Sequence, residues 1–505
     1  MSKKIVTDYV RSEKFTTMGE LQKWIALSFR NFLYYANSKL VFKTGKIQLE
    51  IADRLTEGYD TVMLMAFRGA GKTYIIDLYI LFRLHRYINT KILVLSAKEE
   101  NAAKHVRNIS KMIKALPALH YMTFSKKTES GFQLANASVE NDLSVQTAGI
   151  FSAVEGSRSD VIIIDDAEVQ SNSESDLLRE KLLSRYSEVQ AILHPAGRHC
   201  VEGINNTPEQ TSGIWIGTPQ CEQSTYFNAE LLDSEGEVEP HPLAGSHLIR
   251  IPAITPEGLP AFPERFNRQQ LDIKKKRMST PRWALQMMLD PTLVDQEARV
   301  IDMRHILHYD GPITDICCAI DPAGEEGGGK GDEHALCIGG LRENSKDIPG
   351  SDKQIVHIKK LIGDNKLNIS QFFEKAIDLC KQQKVETIII ESNFSGYYTL
   401  LKQMVANEGS FAMVLPVKST MRKQTRLVEV LDPAINGGRV SFDESIFKDP
   451  KNTAQIKNWT YKSLPEKDDR IDALALLIAH MQQSMEAPDS FKWDVSSVDS
   501  FNPWQ

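Results

Sequence analysis

Residues 66–73 read AFRGAGKT, and the chain on either side of them decides the fold. The run TVMLMAF (61–67) is apolar and of strand length, while Thr73–Tyr87 carries apolar residues at helical spacing. A strand, a Gly-rich turn and a helix opening on Lys-Thr make a phosphate cradle. Backbone N–H groups of the turn and the helix N-terminus face phosphate oxygens, Lys72 reaches the β/γ-phosphates, and the Thr73 hydroxyl ligates Mg²⁺. The ordinary pattern GxxxxGK[ST] has Ala66 in place of its first glycine here. The expected nucleotide-contacting set is Ala66, Phe67, Arg68, Gly69, Ala70, Gly71, Lys72 and Thr73. A glycine turn that merely contains GKT is the competing reading, and the strand–loop–helix setting argues against it.

Outward from the loop, VIIIDDAE (161–168) supplies the other half of such an engine. A buried strand delivers Asp165 at its C-terminal end, where it holds Mg²⁺ through water. A neighbouring carboxylate must then orient and deprotonate the attacking water. Asp166 is the first choice for that base, and the longer Glu168 is the alternative. Arg68 and Arg158 are candidates for stabilising the transferred charge, although either reads equally well as a surface or structural arginine. GTPQ (217–220) ends another apolar run, so Thr218 is placed to sense the γ-phosphate unless it is an ordinary strand-end turn. Gln48, in a helix before the first strand, is a candidate for the adenine edge. The short runs KILVLS (91–96), Val161–Ile164 and GIWIG (213–217) alternate with helical stretches, which predicts a mostly parallel sheet covered on both faces.

The second half of the chain has a different acidic pattern. Asp321 ends the run CCAID, Glu391 ends ETIIIE, and Asp468, Asp469 and Asp472 open the helix of KDDRIDALALLIA (467–479). Two-metal phosphodiester cleavage needs carboxylates that converge on divalent ions about 4 Å apart. Acids at strand termini and on one helical turn meet that need, and Asp469 and Asp472 share a helix face. Asp321, Glu391 and Asp469 are the expected catalytic trio, with Asp468 and Asp472 as further metal ligands for two Mg²⁺ or Mn²⁺ ions. Each acid alone also reads as a turn former or helix cap. Between them, PVKSTMRKQTR (416–426) concentrates Lys418, Arg422, Lys423 and Arg426, a patch suited to gripping a DNA backbone, and NGGRVSF (436–442) predicts a hairpin.

Bulk properties set limits. At 505 residues the chain exceeds one ordinary core, which predicts several domains. The expected division is an N-terminal helical segment (1–60), a phosphate-loop core (61–253), a Pro-rich then basic lid or linker (254–310), a second α/β domain (311–485) and a polar tail (486–505). A composition of 42% hydrophobic and 25% charged residues is that of a soluble globular protein. No apolar run approaches the ~18 residues of a membrane helix. MSKKIVTDYVRSEKF lacks an apolar export region, so a cytoplasmic location is expected. The six cysteines form no zinc-type ladder. The net charge of −6 argues against blanket wrapping of nucleic acid but leaves local contacts open.

Taken in order, AFRGAGKT, GSRSDVIIIDDAE, GTPQ, DPAG with GDEHA, IIIESN and KDDRIDALA resemble the large terminase subunits of tailed bacteriophages, over about residues 45–480. DDAE in place of the commoner DE resembles the short-tailed, T7-like branch. The resemblance implies a P-loop (RecA/ASCE-like) ATPase followed by a ribonuclease-H-like mixed-sheet nuclease. It also implies a homo-oligomeric, pentameric ring docked transiently on the portal of the procapsid in the host cytoplasm, and absent from the mature virion. Such a ring pumps double-stranded DNA inward with ATP, partners a small terminase subunit, and cuts concatemeric DNA when packaging starts and ends. Glu155 stands where some relatives carry a trans-acting arginine, which leaves the identity of the arginine finger open. A helicase would need a second motor domain, a resolvase-like nuclease a degenerate ATPase, and a scaffold no acidic constellations at all. None of these fits the motifs.

Overall fold

The computed structural model describes residues 15–137, 143–152, 158–173, 175–193, 213–227, 242–323, 333–342, 355–391, 395–417, 423–465 and 467–485. These divide into two compact units. The first holds the chain up to Leu271 together with Trp283–Pro291, and the second holds Asp272–Arg282 and the chain onward from Thr292. Residues 254–310, expected as one lid or linker, are therefore shared between the two. Among the described residues no helix is long and apolar enough to cross a membrane.

The first unit opens with helices α1 (Met18–Leu27), α2 (Phe29–Lys39) and α3 (Lys46–Arg54). Thr17 and Glu20 cap α1 reciprocally, and the Ser28 side chain accepts the Asn31 N–H at the start of α2. Behind them lies an eight-stranded sheet: β1 (Thr61–Ala66), β2 (Ile92–Ser96), β3 (Phe124–Lys127), β4 (Gly131–Leu134), β5 (Val145–Gly149), β6 (Val161–Asp165), β7 (Gly213–Gly217) and β8 (His247–Ile251). Its order is β3-β4-β5-β2-β6-β7-β1-β8, parallel from β5 to β8, with β3 and β4 added antiparallel at one edge. The strands β2, β6 and β7 are buried at every residue, as a sheet covered on both faces requires. Helix α4 (Lys72–Arg86) leaves β1, α5 (Glu99–Ala115) follows β2, and α6 (Asp176–Gln190) comes after β6. Phe29 and Phe32 of α2 pack their rings against Phe82 of α4, one tilted and one edge-on, which fastens the N-terminal helices to α4.

Strand β7 lies between β1 and β6, so the loop strand and the acidic strand are not neighbours. Because all three run parallel, their C-terminal ends open on the same edge, where ligands of open α/β sheets bind.

The second unit is a seven-stranded mixed sheet of β9 (Leu307–His308), β10 (Ile313–Asp321), β11 (His334–Arg342), β12 (Val356–Asp364), β13 (Thr387–Glu391), β14 (Met413–Val417) and β15 (Val440–Phe442). Strands β10, β11 and β12 form an antiparallel meander, and β13 then β14 join β10 in parallel. Alternation sorts the two faces. Cys317, Ala319 and Ile389 pack with a C-terminal helix α10 (Asp469–Met485), whereas Cys318, Ile320 and Ile390 pack with α8 (Ile369–Gln383). The two adjacent cysteines thus belong to opposite cores, both as buried free thiols. The hairpin expected at 436–442 is absent. A turn of π-helix at Asp432–Asn436 precedes β15, which pairs in parallel with β12 and β9. The glycines there end a helix instead of joining two strands.

Candidate active sites

The first candidate site is assembled at the ends of β1, β7 and β6. Gly69 and Gly71 take left-handed backbone angles (φ 98° and 83°), which β-carbons resist, and Gly71 caps α4. The Lys72 ammonium donates to the Ala66 carbonyl (3.1 Å) and the Thr218 hydroxyl (2.6 Å). Thr218 in turn donates to the same carbonyl at 3.2 Å, so the end of β7 is tied to the phosphate loop. Phe67 and Ala70 belong to the buried floor of the loop.

Thr73 donates its hydroxyl to Oδ2 of Asp165 (2.9 Å). Oδ1 of Asp165 is buried and has no hydrogen-bond partner among the described residues. A buried carboxylate with one oriented oxygen and one open oxygen, beside a threonine hydroxyl, fits a hydrated magnesium ion. Burial alone would raise the Asp165 carboxyl, but hydrogen bonds from His105 and Thr73 and the Lys72 charge outweigh it and hold it below the usual range.

The next two acids part company. Asp166 has a left-handed backbone (φ 46°), donates its N–H to the Ile216 carbonyl (2.8 Å), and presents an exposed side chain. The surrounding protein raises its carboxyl against the pull of Lys72, and Asp165 adds to the rise; solvent screens part of this shift. Glu168 is buried instead. Its two oxygens accept the Gln220 N–H (2.9 Å), the Thr225 N–H (2.8 Å) and the Thr225 hydroxyl (2.9 Å), which binds the acidic turn to the loop after β7. Three of the roughly four acceptor positions of this carboxylate are thus filled by the protein.

Arg68 is exposed. Its backbone N–H donates to the Gln286 carbonyl (3.0 Å) and its guanidinium to the Gln286 side chain (3.4 Å). Gln286 ends the short helix α7 (Thr280–Gln286) and lies in the stretch that returns to the first unit. Arg158, also exposed, donates to the Ala191 carbonyl at 3.4 Å, and Glu155 lies outside the described residues. Gln48 is fully buried; its carbonyl accepts from Gly45 N–H (3.1 Å) and Asn37 (3.3 Å), and its amide nitrogen has no partner among the described residues. That open donor is what an adenine edge would engage.

The sequence reading missed two buried residues behind Asp165. His105 faces Asp77 with Nδ1 (2.5 Å) and Asp165 with Nε2 (3.1 Å). Burial lowers its affinity for a proton, but the Asp77 charge and the Asp165 contacts dominate and raise its pKa to about 10. The available signal was Asp77 itself, a lone charge in the apolar helix run YIIDLYILF.

In the second unit, β10 and β13 run side by side with Ile320 opposite Ile390, so Asp321 and Glu391 emerge together from one sheet edge. Helix α10 packs across β10 and brings Asp472 to them. Burial, with the charges of Asp472 and Glu391, pushes the Asp321 carboxyl well above its usual range. Arg426, on α9 (Lys423–Leu431), bridges Glu391 (3.0 Å) and Asp472 (2.5 Å), while Lys423 bridges Asp468 (2.7 Å) and Asp472 (2.5 Å). Asp472, three residues beyond the expected Asp469, is thus brought to Asp321 and Glu391. Asp469 accepts the Glu333 N–H at 3.0 Å. Of the basic patch, Lys423 and Arg426 turn onto the acids, and Lys418 and Arg422 lie outside the described residues. The three carboxylates have the chemistry of a divalent-ion site, but with cations between them no group of three or more His, Cys, Asp or Glu among the described residues is ready to hold an ion.

The first unit has the fold of a phosphate-loop ATPase of the RecA/ASCE kind and the second that of a ribonuclease-H-like nuclease. The chain as a whole resembles the large terminase subunits. It is 24% identical over 541 aligned residues to the large terminase subunit of Enterobacteria phage T3, covering 90% of this chain and 87% of that one. Two crystal forms of the large terminase of a thermophilic bacteriophage, one of them in complex with ADP, each superpose with a TM-score of 0.52. Both are 10% identical to this chain and cover 87% of it, and 99% and 100% of theirs. No family model matches the sequence.

Proposed function

We propose that this protein is the large terminase subunit of a tailed phage: it drives double-stranded DNA through the portal into the procapsid at the expense of ATP, and cuts concatemeric DNA at the start and end of packaging. What carries the reading is the pairing, in one chain, of the Lys72–Thr218–Asp165–Asp166 edge with the Asp321–Glu391–Asp472 cluster, together with terminase relatives that span nearly the whole length. Copies acting as a pentameric ring on the portal, a small terminase subunit as partner, and transient work in the host cytoplasm follow from the family.

In the first unit Lys72 takes the β/γ-phosphate charge, and the N–H groups of Gly69 and Gly71, with those of Lys72 and Thr73 at the helix start, hold the phosphates, since those of Phe67, Arg68 and Ala70 already donate to carbonyls of the protein. Thr73 and Asp165 hold magnesium, which when bound neutralises the phosphate oxygens. Asp166 takes the proton of the attacking water. Gln48 offers its amide nitrogen to the base, Thr218 reports the γ-phosphate to the end of β7, and Arg68 or Arg158, or an arginine from a neighbouring copy, stabilises the transferred charge. In the second unit Asp321, Glu391 and Asp472, with Asp468 and Asp469 beside them, would hold two Mg²⁺ or Mn²⁺ ions, which when bound would supply water activation and charge stabilisation for phosphodiester cleavage. Lys418, Arg422, Lys423 and Arg426 grip the DNA backbone once the last two release the acids. The test uses the full chain: Lys72→Ala abolishes ATP hydrolysis and portal-dependent DNA uptake while plasmid cleavage with Mn²⁺ persists. Hydrolysis at the unsubstituted rate in Lys72→Ala would refute the phosphate-loop assignment.

A further inference from the structure

Three ionisable side chains meet in the interior of the first unit. Asp77 lies one helical turn beyond Thr73 on α4, so both reach from the same face. His105 and Asn108 are paired in the same way on α5. Asn108 donates its amide to Oδ2 of Asp77 (3.0 Å), and the His105 ring joins Oδ1 of Asp77 (2.5 Å) to Oδ2 of Asp165 (3.1 Å). Asp77 and His105 are 0% and 1% exposed. Both ring nitrogens are engaged by carboxylate oxygens, so the ring cannot turn without breaking a contact.

We propose that Asp77 and His105 form a positioning relay for magnesium: they hold the Asp165 carboxylate so that Oδ1 alone is presented to the ion. Oδ2 is already taken by Thr73 and His105, whereas Oδ1 is buried and open. A purely structural core would fill this space with apolar side chains, because burying ion pairs is costly. Partners behind a metal-binding group fix its orientation, and losing them costs about 10- to 100-fold in metal affinity. The relay also ties α5 to the phosphate-loop helix through groups that never touch the nucleotide. The inference rests on the reading of this unit as an Mg·ATP site.

The experiment uses the full-length protein and its His105→Gln, Asp77→Asn and doubly substituted forms. Two quantities are read: the Mg²⁺ concentration for half-maximal ATP hydrolysis, and the affinity for a fluorescent ADP in EDTA. The relay predicts a Mg²⁺ requirement raised about 10- to 100-fold in either single variant, with metal-free ADP affinity unchanged within about twofold. The double variant is little worse than the poorer single, since both break one chain. Asn108→Ala removes only the outermost bond, keeps the test open if the inner variants do not fold, and raises the Mg²⁺ requirement about two- to tenfold. An unaltered Mg²⁺ requirement in the folded variants overturns the relay, as does an equal loss of ADP affinity in EDTA. If the unsubstituted protein hydrolyses ATP and Lys72→Ala does not, such a result removes the relay alone. If the unsubstituted protein neither binds ADP nor hydrolyses ATP, the phosphate-loop reading falls with it.

Discussion

Asp166 and Glu168 lie two residues apart in an acidic turn, yet their surroundings predict opposite consequences for removing their charge. In Glu168→Gln the carboxylate loses its charge and gains an NH₂ that faces donors. At most one oxygen remains for the three donors of Gln220 and Thr225. A hydrogen bond to a charged group contributes about 1.5–3 kcal/mol, and a buried donor left unpaired costs about 1–3 kcal/mol. Allowing for relaxation, the first unit should lose about 3–4 kcal/mol. For a body of this size that lowers its melting transition by roughly 6–15 °C. Asp166→Asn should behave differently. Its left-handed backbone is one that Asn adopts as readily as Asp, so stability stays within about 0.5 kcal/mol. Loss of the base should instead lower kcat by about 10²–10⁴-fold while nucleotide still binds. The assay is phosphate release at saturating Mg·ATP beside thermal melts and fluorescent-nucleotide binding on the same preparations. If Glu168→Gln melts like the unsubstituted protein and is inactive, while Asp166→Asn turns over normally, Glu168 is the base and the argument from its hydrogen bonds is wrong.

Three other outcomes are expected. Asp321→Ala, Glu391→Ala and Asp472→Ala should each abolish Mn²⁺-dependent plasmid cleavage by similar large factors, with double variants little worse than singles and ATP hydrolysis intact; full cleavage by Asp472→Ala would return the third position to Asp469. Gly71→Ala forces a β-carbon into a left-handed cap (φ 83°) and should cost the first unit about 1–2 kcal/mol of stability, read by denaturant titration. Arg470, which is 2% exposed, pairs with Glu333 and Asp449; Arg470→Ala leaves the buried Glu333 with Lys451 as its one remaining cation among the described residues and should destabilise the second unit by about 1–3 kcal/mol in denaturant titration.

The order of motifs was enough to predict two α/β units, because strand–glycine loop–helix and strand-ending acids are local signals. AFRGAGKT and VIIIDD were legible for that reason, and so was the placing of Asp321 and Glu391 at strand ends. What the sequence could not supply was direction in space. Asp469 and Asp472 are three apart on one helix, and choosing between them needs the crossing of α10 over the sheet. Lys423 and Arg426 look like a patch open to solvent until α9 is seen to pair them with the acids. His105 stands among Ala102, Val106 and Ile109 on a buried helix face, where a histidine carries no motif at all. The hairpin at 436–442 failed for a related reason, since NGG ends a helix as readily as it joins strands.

The chain passes from the first unit to the second after Leu271, returns at Trp283 and leaves again after Pro291. The returning stretch is short but deeply used: Trp283, Met287 and Leu289 are buried, Gln286 holds the backbone of Arg68, and Met287 accepts the Ala253 N–H. No single cut can therefore liberate an intact first unit. A fragment ending at Leu271 would expose apolar slots and lose the support beneath the loop at 66–73, while one extended to Pro291 would drag along a strip of the second unit. Protease nicking between the units should yield pieces that stay associated until denatured.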